Sequence, residues 1–289
     1  VASGVTDTGE YIGSGWLRHS PVYIPAMHAA LSGLNIYPVK SCGGFAADAW
    51  EVDDFGFWMD RRWMIVNERG HFHTQRTRPR LALVRTALTG KTLALAAPGM
   101  ESIAVAPGGG ETTAVGVWDD LCVAELCEPF ADEWVSELLG EHARIVFMPD
   151  ATRRVTRRRR KESLGRIGFQ DAYPFLLIGA ASLDDLNSRL DAPLPMNRFR
   201  PNLVVSGSAA YAEDLWKSCR VGPIELVVTK PCARCRIPTI DQETGEAAKE
   251  PLKTLAQYRR KGDAVTFGVN LSHQNAGMLR AGDAVVAAT

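Results

Sequence analysis

The chain has 289 residues, 46% of them apolar and 23% charged, which suits a globular protein with a sizeable core and leaves room for two domains that share an interface. Thirty-three basic residues balance thirty-three acidic ones, so wholesale attraction to nucleic acid or to an anionic membrane is excluded and only local basic patches remain. No apolar run approaches the ~20 residues that span a bilayer, and six cysteines are too few for a disulfide scaffold. The opening VASGVTDTGEYIGSGWLRHS lacks a basic segment followed by an apolar one. A cytoplasmic location with reduced thiols is therefore expected.

Residues 1 to about 30 are rich in Gly and Ser without a clear period and read as a loosely ordered leader. LNIYPVK then predicts a short strand with Leu34 and Ile36 on one face, and RRWMIVN predicts another, followed by a turn ending in Gly70. LALVRTAL, KTLALAA, SIAVA and AVGVW predict further strands, separated by turn signals at Thr89-Gly90, Pro98-Gly99 and Pro107 to Gly110. Many short strands suggest a barrel or sandwich rather than a nucleotide-binding βαβ array. The triple glycine is accordingly read as a hairpin tip, not a phosphate loop.

EPFADEWVSELLGEH predicts a helix, with Pro129 in its first turn, an apolar stripe of Phe130, Trp134, Val135 and Leu138, and Gly140 as the stop. RIVFMP predicts a strand, and a very basic stretch, ATRRVTRRRRKESLGR, comes next. A domain boundary is placed near residue 150, dividing a first part, 31–150, from a second, 151–289. In the second part FLLIGAA, NLVVSG, PIELVVTK, DAVTFGVNL and DAVVAA predict strands. SLDDLNSRL predicts a short helix capped by Ser182, with Asp185 three residues on. PLKTLAQYRRKG predicts another, with Pro251 early, Leu252 and Leu255 on one face, basic residues in its last turn and Gly262 as stop. The expected class is mainly β with some helix (α+β).

The sharpest chemical feature is KPCARCRIPTIDQETGE, residues 230–246. Cys232 and Cys235 follow a predicted strand where the chain must turn, and Arg234 and Arg236 flank Cys235. Cationic neighbours favour a thiolate, the form that ligates metals, and a soft sulfur suits a soft or high-valent metal better than calcium or magnesium. Three other readings compete. Structural zinc needs four ligands, and no second C-x-x-C or H-x-H stands at suitable spacing. A thioredoxin-like pair belongs at the start of a helix, whereas Ile237, Pro238, Thr239 and Ile240 favour strand or loop. Two buried structural cysteines would need no function at all.

KPCARC with TIDQETG resembles the signature of the MOSC family, the molybdenum-cofactor-sulfurase C-terminal domains, and within it the amidoxime-reducing components and their bacterial counterparts. Four more segments resemble that family in the right order. LNIYPVKSCGG is similar to the opening of its N-terminal β-barrel region and DRRWMIVNERGHFHTQRTRPRLALV to that region's middle. NRFRPNLVVSG, followed by YAEDLW, is similar to the centre of the MOSC domain, and LKTLAQYRR with VTFGVNL to its end. The likeness runs from about residue 32 to 288.

The resemblance implies an N-terminal β-barrel region and a MOSC barrel with the cofactor between them. It also implies a pyranopterin carrying a dithiolene and a phosphate, with Cys235 as the protein ligand to molybdenum and Cys232 a buried neighbour. Lys40 and Ser41 match the cofactor-contacting pair, and Arg61 matches the family's arginine, with Arg62 as the alternative if the register slips by one. Arg200 and Asn202 match a polar cluster, Ala233 and Arg234 accompany Cys235, and Asp171 matches a residue near the pterin. Asn270 falls where some relatives carry an aromatic residue. The implied reaction is reduction of small N-hydroxylated or N-oxide compounds. This chain shows no ferredoxin-type cysteine spacing before Thr289, so electrons are expected from a separate ferredoxin or flavin reductase. The run from Arg153 to Lys161 is expected either to be solvated or to attract an acidic redox partner. A carrier or sulfur-handling module that holds the cofactor without turnover is the competing function.

Overall fold

The structure is a computed structural model that describes residues 1, 29–155 and 165–289. The proposed leader and most of the arginine run fall outside these residues. The chain folds as a mixed α+β protein built mostly of strands. Its largest sheet runs Val285–Ala288, Ser218–Val221, Ile224–Ala233, Ala264–His273, Phe175–Gly179, Leu203–Ser206, Ala30–Ile36, Phe45–Ala47, with Arg260–Lys261 paired beside Ala264–His273. Phe175–Gly179 and Leu203–Ser206 are parallel and joined through the helix Ala180–Asn187, because a parallel pair needs a crossover. The two flanks of this sheet meet. Leu31 N–H donates to the Asp283 carbonyl at 2.8 Å and Val285 N–H to the Ala29 carbonyl at 2.8 Å, which closes the sheet as a barrel and removes its open edges. Leu34, Ile36, Phe175, Leu177, Leu203 and Val269 fill its interior.

Residues of the first part form a four-stranded antiparallel sheet, in the order Trp63–Val66, Arg144–Phe147, Asp120–Leu126, Thr112–Val117. A meander of Arg85–Thr89, Thr92–Ala96 and Ile103–Val105 stands beside it, and the helix Pro129–Leu139 buries Trp134, Val135 and Leu138 in the same core as Trp63 and Ile145. Gly140 ends that helix in the left-handed region, as its sequence predicts. Two pairings knit the parts together. Ala30–Ile36 belongs by sequence to the first part but lies in the barrel of the second, and Gly277–Arg280 near the C-terminus pairs with Ala49–Asp53.

Several predicted elements shift, each for a local reason. The strand expected over LNIYPVK ends at Ile36 and begins earlier, at Ala30, because Pro38 lacks the N–H a ladder needs. LALVRTAL splits into a 3-10 turn, Pro79–Leu83, and a strand from Arg85. Ser182 does not cap its helix, which starts at Ala180; its hydroxyl is buried and donates to the Glu213 carboxylate at 2.8 Å. The helix predicted over PLKTLAQYRRKG stops at Tyr258, so its basic residues leave the helix and Gly262 becomes the turn before Ala264–His273. Strands at Ala49–Asp53, Asp120–Leu126, Ser218–Val221 and Gly277–Arg280 carry no clear signal of their own and gain their pairing from neighbours distant in sequence.

One glycine fixes the strand that reaches the site. Gly268 has φ 73°, and a Cβ there would lie 2.6 Å from Ile178 Cγ1 and 2.7 Å from the Leu177 carbonyl oxygen. Gly268→Ala therefore combines backbone strain with overpacking and should destabilise the protein by about 2–4 kcal/mol. Urea unfolding measures this, and an unchanged midpoint would contradict the packing described.

Candidate cofactor-binding site

The site forms where the chain crosses between the barrel and the four-stranded sheet. Leaving the barrel at Ile36, it turns so that Val39 bridges Trp63 and Lys40 N–H donates to the Trp63 carbonyl at 2.8 Å. This turn buries Lys40 and Ser41. Arg61 precedes the strand Trp63–Val66; its N–H donates to the Tyr37 carbonyl at 2.8 Å and its carbonyl accepts from Phe169 N–H at 2.7 Å. From the barrel side, Ile224–Ala233 delivers the C-x-x-C segment. Arg234 N–H still pairs with the Val265 carbonyl at 2.8 Å, and Cys235 then sits in the turn before the short 3-10 segment Ile237–Thr239. No long helix begins at these cysteines, which removes the setting a thioredoxin-like pair needs.

All these segments converge on one cavity of about 280 Å³. Lys40, Ser41 and Arg61 line it from the first part. Asp171, Arg200, Asn202, Ala233, Arg234, Cys235 and Asn270 line it from the second, so every residue singled out by sequence meets there. Arg62 does not line it. Its guanidinium points away, donating to the Met148 carbonyl at 2.9 and 2.5 Å and lying over Phe55 at 4.1 Å, which settles the register in favour of Arg61. The two cysteines are only partly buried and free, so they are not simple core thiols. Cys232 also lines the cavity rather than lying buried beside it, and its sulfur accepts from Arg234 Nη1 at 3.2 Å. The basic run is corrected in part: Arg154 is buried, not solvated, and donates to the Gly168 and Gln170 carbonyls at 2.8 and 2.7 Å.

Charge dominates the lining. Lys40, Arg61, Arg76, Arg200, Lys230 and Arg234 surround it against the single lining carboxylate of Asp171. Burial pushes the Lys40 ammonium pKa down, and hydrogen bonds to Asp171 and to the Phe169 carbonyl (2.8 Å) oppose that shift. Burial would raise Asp171, but Lys40 and then Arg76 override it and hold the carboxyl well below the usual carboxylate range. Half of the Asp171 side-chain surface stays open to solvent. Arg200 is pushed down to about 10 by burial, and its Nη1 is a buried donor with no partner among the described residues. Ser41, Arg61 and Arg200 all hold left-handed backbone, at φ 68°, 49° and 56°. For residues other than glycine this conformation stores roughly 1–3 kcal/mol each and marks sites where surrounding contacts dictate the geometry.

Two residues escaped the sequence reading. Arg76 donates to Asp171 Oδ2 at 3.0 Å, lies over Trp118 at 5.0 Å and hydrogen-bonds the Cys235 sulfur. Lys230 stands at 5.4 Å from the Tyr173 ring. Arg76 is 95 residues from Asp171, and no local pattern marks it. Lys230 opens the C-x-x-C segment and was legible there as a cation beside the thiols.

No three His, Cys, Asp or Glu side chains converge to hold a bare ion among the described residues, so a metal at Cys235 takes its other ligands from outside the protein. A half-exposed thiol, an unpartnered buried guanidinium and a surplus of cations fit an anionic, sulfur-bearing metal complex.

Comparison with known proteins follows this geometry. The profile of the MOSC domain matches residues 165–286, and that of the MOSC N-terminal beta barrel domain matches residues 28–142. The chain belongs to the MOSC family. It is 34% identical to mitochondrial amidoxime-reducing component 1 of Mus musculus over 87% of this chain and 80% of that protein. It is 35% identical to mitochondrial amidoxime reducing component 2 of Rattus norvegicus over 88% and 82%. The molybdenum cofactor sulfurase of Oryza sativa is 31% identical over 85% of this chain but only 32% of its own length. In this MOSC protein no helix among the described residues is long and apolar enough to cross a membrane.

The charge pattern sets a pH dependence. Asp171 has a folded pKa below its unfolded value of ~3.9, so its stabilisation is fully present above that value and is lost as pH falls through the folded one. Between about pH 4 and pH 2 the unfolding midpoint of the wild type should fall more steeply than that of Asp171→Asn. Parallel acid limbs in thermal denaturation would remove the assigned ion pairs.

Proposed function

We propose that this MOSC protein is a molybdenum-cofactor-dependent reductase of small N-hydroxylated or N-oxide compounds, with Cys235 as the protein ligand to the metal. The observation that carries the reading is the half-exposed Cys235 thiol in the same cavity as cations from both parts of the chain. The relatives named for amidoxime reduction cover most of the chain and support the substrate class. When bound, the cofactor supplies the two-electron reduction of an N–O bond.

The chain's own residues do the remaining work. Lys40, Arg61 and Arg200 bind negative charge, Arg200 with a donor that no protein group occupies among the described residues. Lys gives a point charge and Arg a planar fork, so together they suit a phosphate and a polar ring edge. Ser41 and Asn202 add neutral hydrogen-bonding groups, and Asn270 extends the wall. Arg76, fixed by Thr74, Asp171 and Trp118, holds a donor at the Cys235 sulfur, where an outer hydrogen bond tunes a metal ligand. Asp171 stays ionised at neutral pH, so it orients Lys40 and Arg76 and is not the proton source. Electrons come from a separate ferredoxin or flavin reductase, since the six cysteines here lack the spacing of an iron–sulfur site.

The sulfurase relative favours a second reading, a module that carries the cofactor or handles its sulfur without turnover. Metal analysis and reduction of an amidoxime with an artificial electron donor separate the two. The reductase reading expects stoichiometric molybdenum, turnover by the wild type, and loss of both in Cys235→Ala. Bound cofactor without turnover, and pterin affinity intact in Cys235→Ala, would establish the carrier instead.

A further inference from the structure

Asp60 lies beneath the cavity, wholly buried and outside its lining. Its Oδ1 accepts from Tyr37 N–H at 2.8 Å and from the Asn202 amide at 3.3 Å. Its Oδ2 accepts from Arg61 Nη1 at 2.5 Å and from the Gln170 amide at 3.3 Å. Each donor sits on a segment that brings a cavity residue: Tyr37 leads to Lys40 and Ser41, Gln170 to Asp171, and Asn202 follows Arg200. Arg61 Nη1 continues to Asn202 Oδ1 at 3.1 Å. The Arg61 and Arg200 guanidiniums lie 4.4 and 4.3 Å from the centre of the Tyr37 ring. Two like charges around one ring repel, and among the described residues Asp60 is the carboxylate that ion-pairs with Arg61, while none ion-pairs with Arg200.

We propose that Asp60 is the positioning residue of this site, a carboxylate that sets the Arg61 guanidinium against Asn202 and Tyr37 so that a ready-made donor faces the cofactor. The inference rests on the cavity being the cofactor cradle. Without the Asp60 charge, Arg61 has every reason to swing away from Arg200 toward solvent, taking its fork out of the cavity.

Asp60→Asn isolates this role. The new Oδ1 still accepts from Tyr37 N–H and the Asn202 amide. The Gln170 Oε1, buried and without a partner among the described residues, can turn to accept from the new amide. Only the Arg61 pairing is then lost, because its donor faces another donor. The expected result is a folded chain whose crystal structure shows Arg61 withdrawn from Asn202 and whose molybdenum and pterin retention after dialysis is weakened roughly 10–100-fold.

An Arg61 that keeps its hydrogen bond to Asn202 in that variant would overturn the inference, and so would wild-type retention of the cofactor. Should the single variant not accumulate, Asp60→Asn combined with Arg61→Gln leaves no uncompensated buried charge and replaces it. That pair should retain as much cofactor as Arg61→Gln alone, and a further tenfold loss would count against positioning through Arg61. A wild type that carries no molybdenum refutes the proposed function, while the position of Arg61 in Asp60→Asn still decides the role of Asp60.

Discussion

Six cations share one small cavity, and their mutual repulsion is the constraint around which the rest of the molecule is arranged. Partial burial makes that repulsion stronger than it would be in water. Asp171 offsets Lys40 and Arg76 at the surface of the cavity, and Asp60 offsets Arg61 beneath it. Arg200 is left with burial and a Tyr37 ring for company, so the free protein carries an unmet demand for negative charge. An anionic ligand would relieve it. Binding and stability are thereby linked, because a group that binds only the folded state stabilises that state.

This arrangement depends on the two parts of the chain being interleaved. The strand Ala30–Ile36 closes the barrel, and directly after it the chain turns out to place Lys40 and Ser41. Gly277–Arg280 returns from the far end to pair with Ala49–Asp53, just ahead of the loop that carries Asp60 and Arg61. A crevice between two freely moving domains could not hold Arg61 and Asn202 at hydrogen-bond distance. Shared strands make the cavity walls as rigid as the barrel itself. The left-handed backbone at Ser41, Arg61 and Arg200 is tolerated for the same reason, since the flanking ladders leave those residues little choice.

Much of the barrel was legible beforehand. Alternating apolar residues marked Thr92–Ala96, Leu203–Ser206 and Ala264–His273, and proline with glycine marked the ends of Pro129–Leu139. Short strands such as Ala49–Asp53 or Ser218–Val221 were not, because their stability comes from partners far away in sequence and not from their own pattern. Helix ends drifted where tertiary contacts competed with local signals, as at Ser182, whose hydroxyl serves Glu213 instead of the backbone.

By itself the sequence determined that the protein is β-rich, that a partly cationic C-x-x-C follows a strand, and which residues a molybdenum-cofactor site would draw on. Those are local properties, carried by residue type and spacing. Only the tertiary structure decided that Arg61 and not Arg62 enters the cavity, that Arg76 reaches Cys235, and that a hidden Asp60 anchors the whole cluster. Such facts depend on which way a side chain points once strands have paired, and pairing between segments more than a hundred residues apart leaves no mark on either segment alone.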